Sequence, residues 1–441
     1  MLTADHRTIL SELALYTTFL TGALSPTAVP TFCELLFGGM LSEHGFVTQA
    51  LLSVQFQCKW SSYHHWIVHG KWHWKSLACR LIQLVCTQAQ KQSSDNEPIT
   101  LALDDWVVER FSDKAPACRT HHQHSQKRNR PTYIWGLCWV SLAVVLERTM
   151  DEIFTAIPVL SFPAPASGNV SKLKIAAAML KVVRQEVQQI PLRVLADCWY
   201  MNWTLMQPAM EMGYEVIGQI PSNRALYTLP EVPVIKKRGR PRKYGVKMTP
   251  EEVAKLPEHK VTIWMYGRFR TIHYRSLICR ARFLKGQSIR VVWSRFENDK
   301  GRTENRIFIS TNTKHEAVEI LRAYSKRWPI EPMFNQLKHT FGCRQLWQQK
   351  LRPLLKWMHI KMAGYALLQL LTVCQNRACL NICQIPWRSV DTVTAGMLRQ
   401  ALAKIIPEFA VREGWNRYHQ KYEFPCSKPD VPSVTERMKV A

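Results

Sequence analysis

Residues Tyr324 to Lys338, YSKRWPIEPMFNQLK, set a tyrosine, an arginine, one carboxylate and a lysine at the spacing Tyr-x2-Arg-x3-Glu-x6-Lys. Glu331 and Lys338 are seven residues apart, about two helical turns, so a helix puts an acid and a cation on one face. Such a pair suits a metal-binding acid above a phosphate-binding cation. Pro329 is tolerated in the first turn of a helix but not in its interior. The spacing therefore predicts that Tyr324 and Arg327 close one helix and that Glu331 opens another. The earlier helix has its own start signal, Thr313-Lys314-His315-Glu316, of capping-box form before apolar Ala317, Val318, Ile320 and Leu321. Taken alone, the pattern also fits an ordinary amphipathic pair with solvated charges, so partners upstream decide.

Two upstream acids follow apolar, strand-like runs. Ile99-Thr100-Leu101-Ala102-Leu103-Asp104-Asp105 and Pro191-Leu192-Arg193-Val194-Leu195-Ala196-Asp197 each end in a carboxylate. Strand alternation sends Asp104 and Asp105 to opposite faces, and Asp105 is taken as the one aimed at the metals. Taken singly, each Asp reads more readily as a helix N-cap or a turn former, the commoner fate of an Asp after a strand. With Glu331 they form an ordered Asp, Asp, Glu set.

At this point the chain resembles the bacterial DDE transposases of insertion sequences, in the group marked by a Tyr-Arg-Glu-Lys signature, here Tyr324, Arg327, Glu331 and Lys338. The likeness also takes in LALDDW, HHQHSQKRNRPTYIWGLCWV, VLADCWY and WSSYHHW, and so covers roughly residues 55–375. One departure is Trp106, where relatives commonly carry Thr. The resemblance implies an α/β, ribonuclease-H-like core in which Asp105, Asp197 and Glu331 hold two Mg2+ ions, with Mn2+ able to substitute. It also implies terminal inverted repeats and target DNA as double-stranded partners, a homodimer in a synaptic complex, and DNA binding by the N-terminal part. On it, Arg327 and Lys338 hold the phosphate near the cut, Tyr324 bonds a terminal phosphate oxygen, and Trp328 stacks on a flipped base. Trp328 is almost as readily a core aromatic.

The coarse element order agrees. Tyr133 to Leu146 is a long apolar run, one strand or a hairpin, too short for a membrane span. Residues 172–189 have helical periodicity, and a helix near 199–212 and a strand at 214–220 follow the second Asp. The gap of 134 residues between Asp197 and Glu331 exceeds one crossover. Residues 259–296 alternate Arg with β-branched and aromatic residues, which predicts a β-rich insertion. From 224 to 306 there are 21 Lys plus Arg against 7 Asp plus Glu, a surplus of 14 within the chain's +26. That alternation predicts cations on one side of a sheet, tracking a phosphate backbone. Within it, Lys236-Lys237-Arg238-Gly239-Arg240-Pro241-Arg242-Lys243 resembles an AT-hook, with Arg238, Arg240, Arg242 and Lys243 set for an A·T-rich minor groove. A basic linker or targeting run reads the same way.

With 441 residues and 46% hydrophobic content there is room for two to three domains, and a disordered chain is excluded. Thirteen cysteines without a CxxC pair, and no signal peptide, predict reduced thiols in a cytosol, and the resemblance implies that of a bacterium, at the nucleoid. Cys118 with His121, His122 and His124 approaches a metal cluster, but DNA contact or loop polarity explains it better. Apolar stretches near 8–23, 46–54 and 76–86, separated by Ser25-Pro26 and Gly38-Gly39, predict a helical start. Lys59 to Trp66 suits either sugar-phosphate contact or a helical core. The expected organisation is a helical DNA-binding region 1–95, core 96–221, basic insertion 222–305, core 306–345 and a helical region 346–441. The function these features support is cut-and-paste transposition; a nuclease of the same fold and a domesticated, non-cutting DNA-binding protein are the alternatives.

Overall fold

The computed structural model describes residues 2–93, 97–122, 131–148, 153–165, 171–231, 242–265, 268–298, 300–384 and 392–425. Arg238, Arg240 and His124 lie outside these. Five helices come first: α1 (Ala4–Thr21), α2 (Val29–Leu41), α3 (Val47–Leu52), α4 (Trp60–His69) and α5 (Trp74–Gln92). Then come β1 (Ile99–Glu109), β2 (Cys118–His122), β3 (Tyr133–Glu147), β4 (Phe154–Pro163), α6 (Lys172–Glu186), β5 (Leu192–Ala196), α7 (Trp203–Glu211) and β6 (Tyr214–Ile220). The stretch that follows holds β7 (Leu226–Tyr227), α8 (Pro250–Ala254), β8 (His259–Met265), β9 (Arg268–Ala281), β10 (Gln287–Glu297) and β11 (Thr303–Ser310). The chain continues through α9 (Ala317–Ser325), α10 (Ile330–Asn335), α11 (Leu351–Cys374), α12 (Asn376–Ile382), α13 (Ala395–Leu402), and the short pair β12 (Trp415–Asn416) and β13 (Lys421–Tyr422).

The expected α/β, ribonuclease-H-like core is present as one mixed sheet. Its strand order is β2-β3-β1-β5-β6-β11-β10-β9-β7, with β4 paired to β3 and β8 to β9. The apolar run from Tyr133 is a single strand, and its far edge is shared by two partners: β2 along Tyr133 to Leu137 and β4 along Trp139 to Glu147. β1 runs antiparallel to β3 and parallel to β5, and β5 is parallel to β6. Because β1 is central, Leu101, Ala102 and Leu103 are all buried, one face as well as the other.

The strands after β6 extend this sheet. Ile217 to Ile220 of β6 pair with Ser310 to Ile307 of β11, and β10 and β9 follow outward. A separate small core seats α9 on this extension: Ile320, Leu321 and Tyr324 of α9 bury against Leu195, Ile217, Ile263, Val292 and Phe308. The expected one-sided stripe of cations does not form. Arg270 is buried and donates to the carbonyls of Met265 and Glu297, while Arg275 and Arg295 both pair with Glu258. Even and odd positions face opposite ways on a strand, so these arginines lie on both faces.

Two local signals also read differently in three dimensions. Gly38 and Gly39 lie inside α2; a Cβ on Gly38 would sit 2.2 Å from the Ala50 carbonyl oxygen, so the glycine serves the α2–α3 approach. α9 is capped by Glu316, whose box partner is Glu319, instead of by Thr313. The helical start is tied to the rest of the chain by buried charge. Lys361 on α11 donates to the carbonyls of Gly39, Ser42 and His44 at 2.8, 3.0 and 2.9 Å, and fully buried Glu34 accepts from Arg412 at 2.8 Å. Among the described residues no helix is long and apolar enough to cross a membrane.

Candidate active site

Parity along β1 decides which acid meets which. The last registered pair between the parallel strands β1 and β5 is Leu103 with Ala196, and the next residues are Asp104 and Asp197. Laterally paired residues of parallel strands share a face, so Asp104 and Asp197 stand side by side. The neighbours agree. Leu195, two residues before Asp197, buries into the core beneath α9. Trp106, two residues after Asp104, stacks on Phe334 of α10 with ring centroids 5.8 Å apart.

The turn between α9 and α10 completes the cluster. Pro329 caps α10, as its place in the sequence predicts, which leaves Arg327 in the turn and Glu331 in the first helical turn. Arg327 donates from Nη1 to Asp104 Oδ2 at 2.8 Å and from Nη2 to Glu331 Oε1 at 3.2 Å. Burial works against the Arg327 charge, but Tyr324, Asp104, Glu331 and Asp197 together hold it above the usual guanidinium value. Burial pushes the Asp104 carboxyl up to about 7; Arg327 opposes the shift and Asp197 adds to it. Asp197 and Glu331 are also raised by burial, against the pull of backbone N–H groups and Arg327 on Asp197 and of Arg327 on Glu331. Three acids around one guanidinium leave an excess of two negative charges when all are ionised.

Asp105 faces the other way. Lys172 Nζ, just inside α6, donates to its two oxygens at 2.9 and 3.0 Å, Tyr200 Oη donates at 3.0 Å and Cys138 Sγ lies 3.1 Å away. Its charge still reaches Asp197 and helps to raise that carboxyl. Asp197 meanwhile accepts from the backbone N–H groups of Trp199 and Tyr200, an N-cap-like role in the loop before α7. Asp197, Glu331 and Arg327 thus come together with Asp104, whereas Asp105 is engaged on the opposite face.

The remaining signature residues frame this cluster. Tyr324 is 2% exposed, its ring 4.7 Å from Phe308 and beneath the Arg327 guanidinium. Trp328, 39% exposed, stands at the turn itself. After α10 the chain widens into a π-helical turn, Gln336–Thr340, which replaces the expected continuous helix and brings Lys338 Nζ to 5.5 Å from the Trp106 ring centre. Trp106, which departs from the family pattern, therefore links Lys338 to β1, and its Nε1 donates to Ser141 at 3.0 Å. Asp104, set aside in the sequence reading in favour of Asp105, and Trp106 both stand in the LALDDW segment and both contact this cluster, through Arg327 and Lys338.

Elsewhere the candidates are scattered. Arg242 and Lys243 are exposed on the stretch before α8. His121 shares a hydrogen bond with the Gly136 carbonyl at 3.2 Å, and Cys118 is buried. On α4, Tyr63 and Ile67 are core residues while Trp60 and His65 face outward. Among the described residues no three His, Cys, Asp or Glu side chains already form a metal cage. The donor set of Asp104, Asp197 and Glu331 is nevertheless all hard oxygen with surplus negative charge, which fits a divalent cation such as Mg2+.

No curated protein matches the sequence. Among solved structures the chain is similar to the piggyBac transposase in a cryo-EM structure of its synaptic complex with hairpin DNA, at 10% identity and a TM-score of 0.41, over 91% of this chain and 77% of that one. A family model described as DDE superfamily endonuclease matches residues 35–278, more than half of the sequence and the whole stretch that carries Asp104 and Asp197. The chain therefore belongs to the DDE superfamily endonucleases, a family of metal-dependent nucleases and transposases.

Proposed function

We propose that this chain is the transposase of a bacterial insertion sequence, of the Tyr-Arg-Glu-Lys group, cutting its element at terminal inverted repeats and joining it to target DNA. One observation carries the reading: Arg327 gathers Asp104 and Glu331 beside Asp197 on the sheet face covered by α9 and α10. Asp104, not Asp105, is the first acid of the set, because only its carboxylate shares that face.

Asp104, Asp197 and Glu331 would hold the divalent ions, two Mg2+ or Mn2+. Bound there, such ions supply Lewis-acid activation of the attacking oxygen and neutralise charge at the phosphate. The chain's own residues do the rest. Arg327, once drawn off the acids, lies within a side chain's reach of the phosphate they address. Tyr324 holds Arg327 from below, and Lys338, steadied by Trp106, supplies a second cation to the strand. Trp328 offers an exposed ring for a displaced base. The basic segment around Arg238, Arg240, Arg242 and Lys243 adds backbone and minor-groove contact, and a homodimer would bring the two element ends together.

Purified wild-type protein with Mg2+ or Mn2+ is expected to nick and then join a duplex carrying the DNA that flanks the gene. Asp197→Asn and Glu331→Gln are expected to bind that duplex but not cut it. Cutting without joining would make the chain a nuclease of the same fold, and full cleavage by either variant would remove that residue from the site.

A further inference from the structure

A cavity of about 960 Å³ opens beside Lys338, beyond the acids on β1, and no role in cleavage accounts for it. It begins at Val107, three residues past Asp104, or about 10 Å along the strand. Arg110, Lys338, His339 and Arg344 line it, against the single acid Glu109 among the lining residues. Its rim carries two aromatic side chains left largely in solvent, Phe111 at 90% and Trp347 at 69% exposure. Phe46 braces Trp347 edge-on, with ring centroids 5.4 Å apart.

The deepest cation is tied into the fold. Arg110 is only 7% exposed, and its Nη1 donates to the carbonyls of Glu109 at 3.2 Å and Arg344 at 2.5 Å. Its Nη2 is buried with no partner among the described residues. That nitrogen lies below the cavity wall, out of a ligand's reach, and what draws an anion into the cavity is Lys338, His339 and Arg344 set against Glu109 alone. Exposed flat rings beside these groups suit a base together with its phosphate, and the volume lies in the range of small-ligand sites.

We propose that this cavity receives one unstacked nucleotide of the DNA strand that passes Lys338, its phosphate on Arg344 and its base on Trp347. The inference rests on the reading of the chain as a DNA-cutting enzyme, and it names where the strand goes after the cleavage point. At 3.4 Å per base step, about 10 Å places this nucleotide about three steps from the reacting phosphate in a duplex, and fewer if the strand is drawn out.

The test uses the full chain without divalent metal, on duplexes from the gene's flanks carrying 2-aminopurine at each position in turn. A base stacked on Trp347 is quenched, so Trp347→Ala is expected to raise fluorescence severalfold at one position within about three steps of the cut and nowhere else. The same variant should weaken binding about fivefold or more. Arg344→Ala, an exposed position, should lower the slope of log K against log salt by about one. A Trp347→Ala profile that superimposes on wild type, at unchanged affinity, overturns the nucleotide site and leaves the cleavage reading intact. A changed molar mass by light scattering with that same unaltered profile makes the cavity a contact between copies and equally overturns it. Failure of the wild type to bind any flank duplex overturns both readings.

Discussion

Replacing Asp104 and Asp105 by Asn, one at a time, separates two adjacent carboxylates that the sheet sends to opposite faces. Asp104 accepts from Arg327 at 2.8 Å on the face of Asp197 and Glu331. On the proposed role, exchanging its anionic oxygen for an amide removes a metal-holding group whose contribution to the transition state would be about 4 kcal/mol. At 1.36 kcal/mol per factor of ten, cleavage should fall about a thousandfold. Asp105→Asn loses the Lys172 ion pair, whose side chains are mostly buried, but keeps an acceptor for Tyr200. That change should cost about 1–2 kcal/mol of stability, between an exposed and a fully buried pair, and slow cleavage less than tenfold. Adding Lys172→Met to Asp105→Asn should recover part of the loss, since the stranded ammonium goes too. The assay is single-turnover cleavage of a flank duplex at saturating protein with Mg2+, beside a thermal melt of each variant. If Asp105→Asn is the inactive protein and Asp104→Asn cuts at near the normal rate, the face argument is wrong and Asp105 is the first acid.

Three further outcomes follow from particular contacts. Gly38→Ala should destabilise the chain by about 2–3 kcal/mol, because the new methyl meets the Ala50 carbonyl where two helices touch; a melt that does not move contradicts that approach. The Glu215 carboxyl is pushed up by burial, yet His315, Asn312 and Arg193 outweigh this and hold it at about 2. An acid held below its unfolded value of 4.5 binds fewer protons folded than unfolded, so its contribution is present above pH 4.5 and is lost as pH falls toward 2. The shift corresponds to about 3 kcal/mol at most, and partial exposure lowers this to about 1–2 kcal/mol. Glu215→Gln should therefore flatten the acid limb of stability against pH and loosen the loop that leads into α9. Neutralising Arg238, Arg240 and Arg242 together should reduce the salt slope of DNA binding by about three, and an unchanged slope means the segment does not touch DNA.

Features that depend on near neighbours were legible from residue order. Pro329 ends one helix and opens another whatever surrounds it, so the positions of Arg327 and Glu331 about that turn could be read directly. The extended run at Tyr133, though not whether it was one strand or a hairpin, and the α/β alternation were legible for the same reason. Features set by distant pairing were not. That β11 returns to β6 and draws β8 to β10 into the same sheet depends on partners about ninety residues apart, such as Ile217 with Ser310. Gly38 and Gly39 read as a turn because only the packed α3, against Gly38, and α11, against Gly39, show why a helix there needs small residues.

The choice between Asp104 and Asp105 turns on a subtler matter, and the face that Asp104 shares with Asp197 was partly legible in the sequence. Period-two alternation fixes that the two acids diverge but says nothing about which face meets Glu331. The usual guide, apolar in and polar out, is silent on a central strand buried on both sides, where Leu101, Ala102 and Leu103 are equally apolar. The second acid, however, carries height as well as identity. β5 ends at Ala196, so Asp197 is the first residue past its strand, and a parallel neighbour must offer its partner at the same level. Counting outward from two apolar runs of like length makes that partner the first acid of the pair, Asp104, and leaves Asp105 one step further along and on the opposite face.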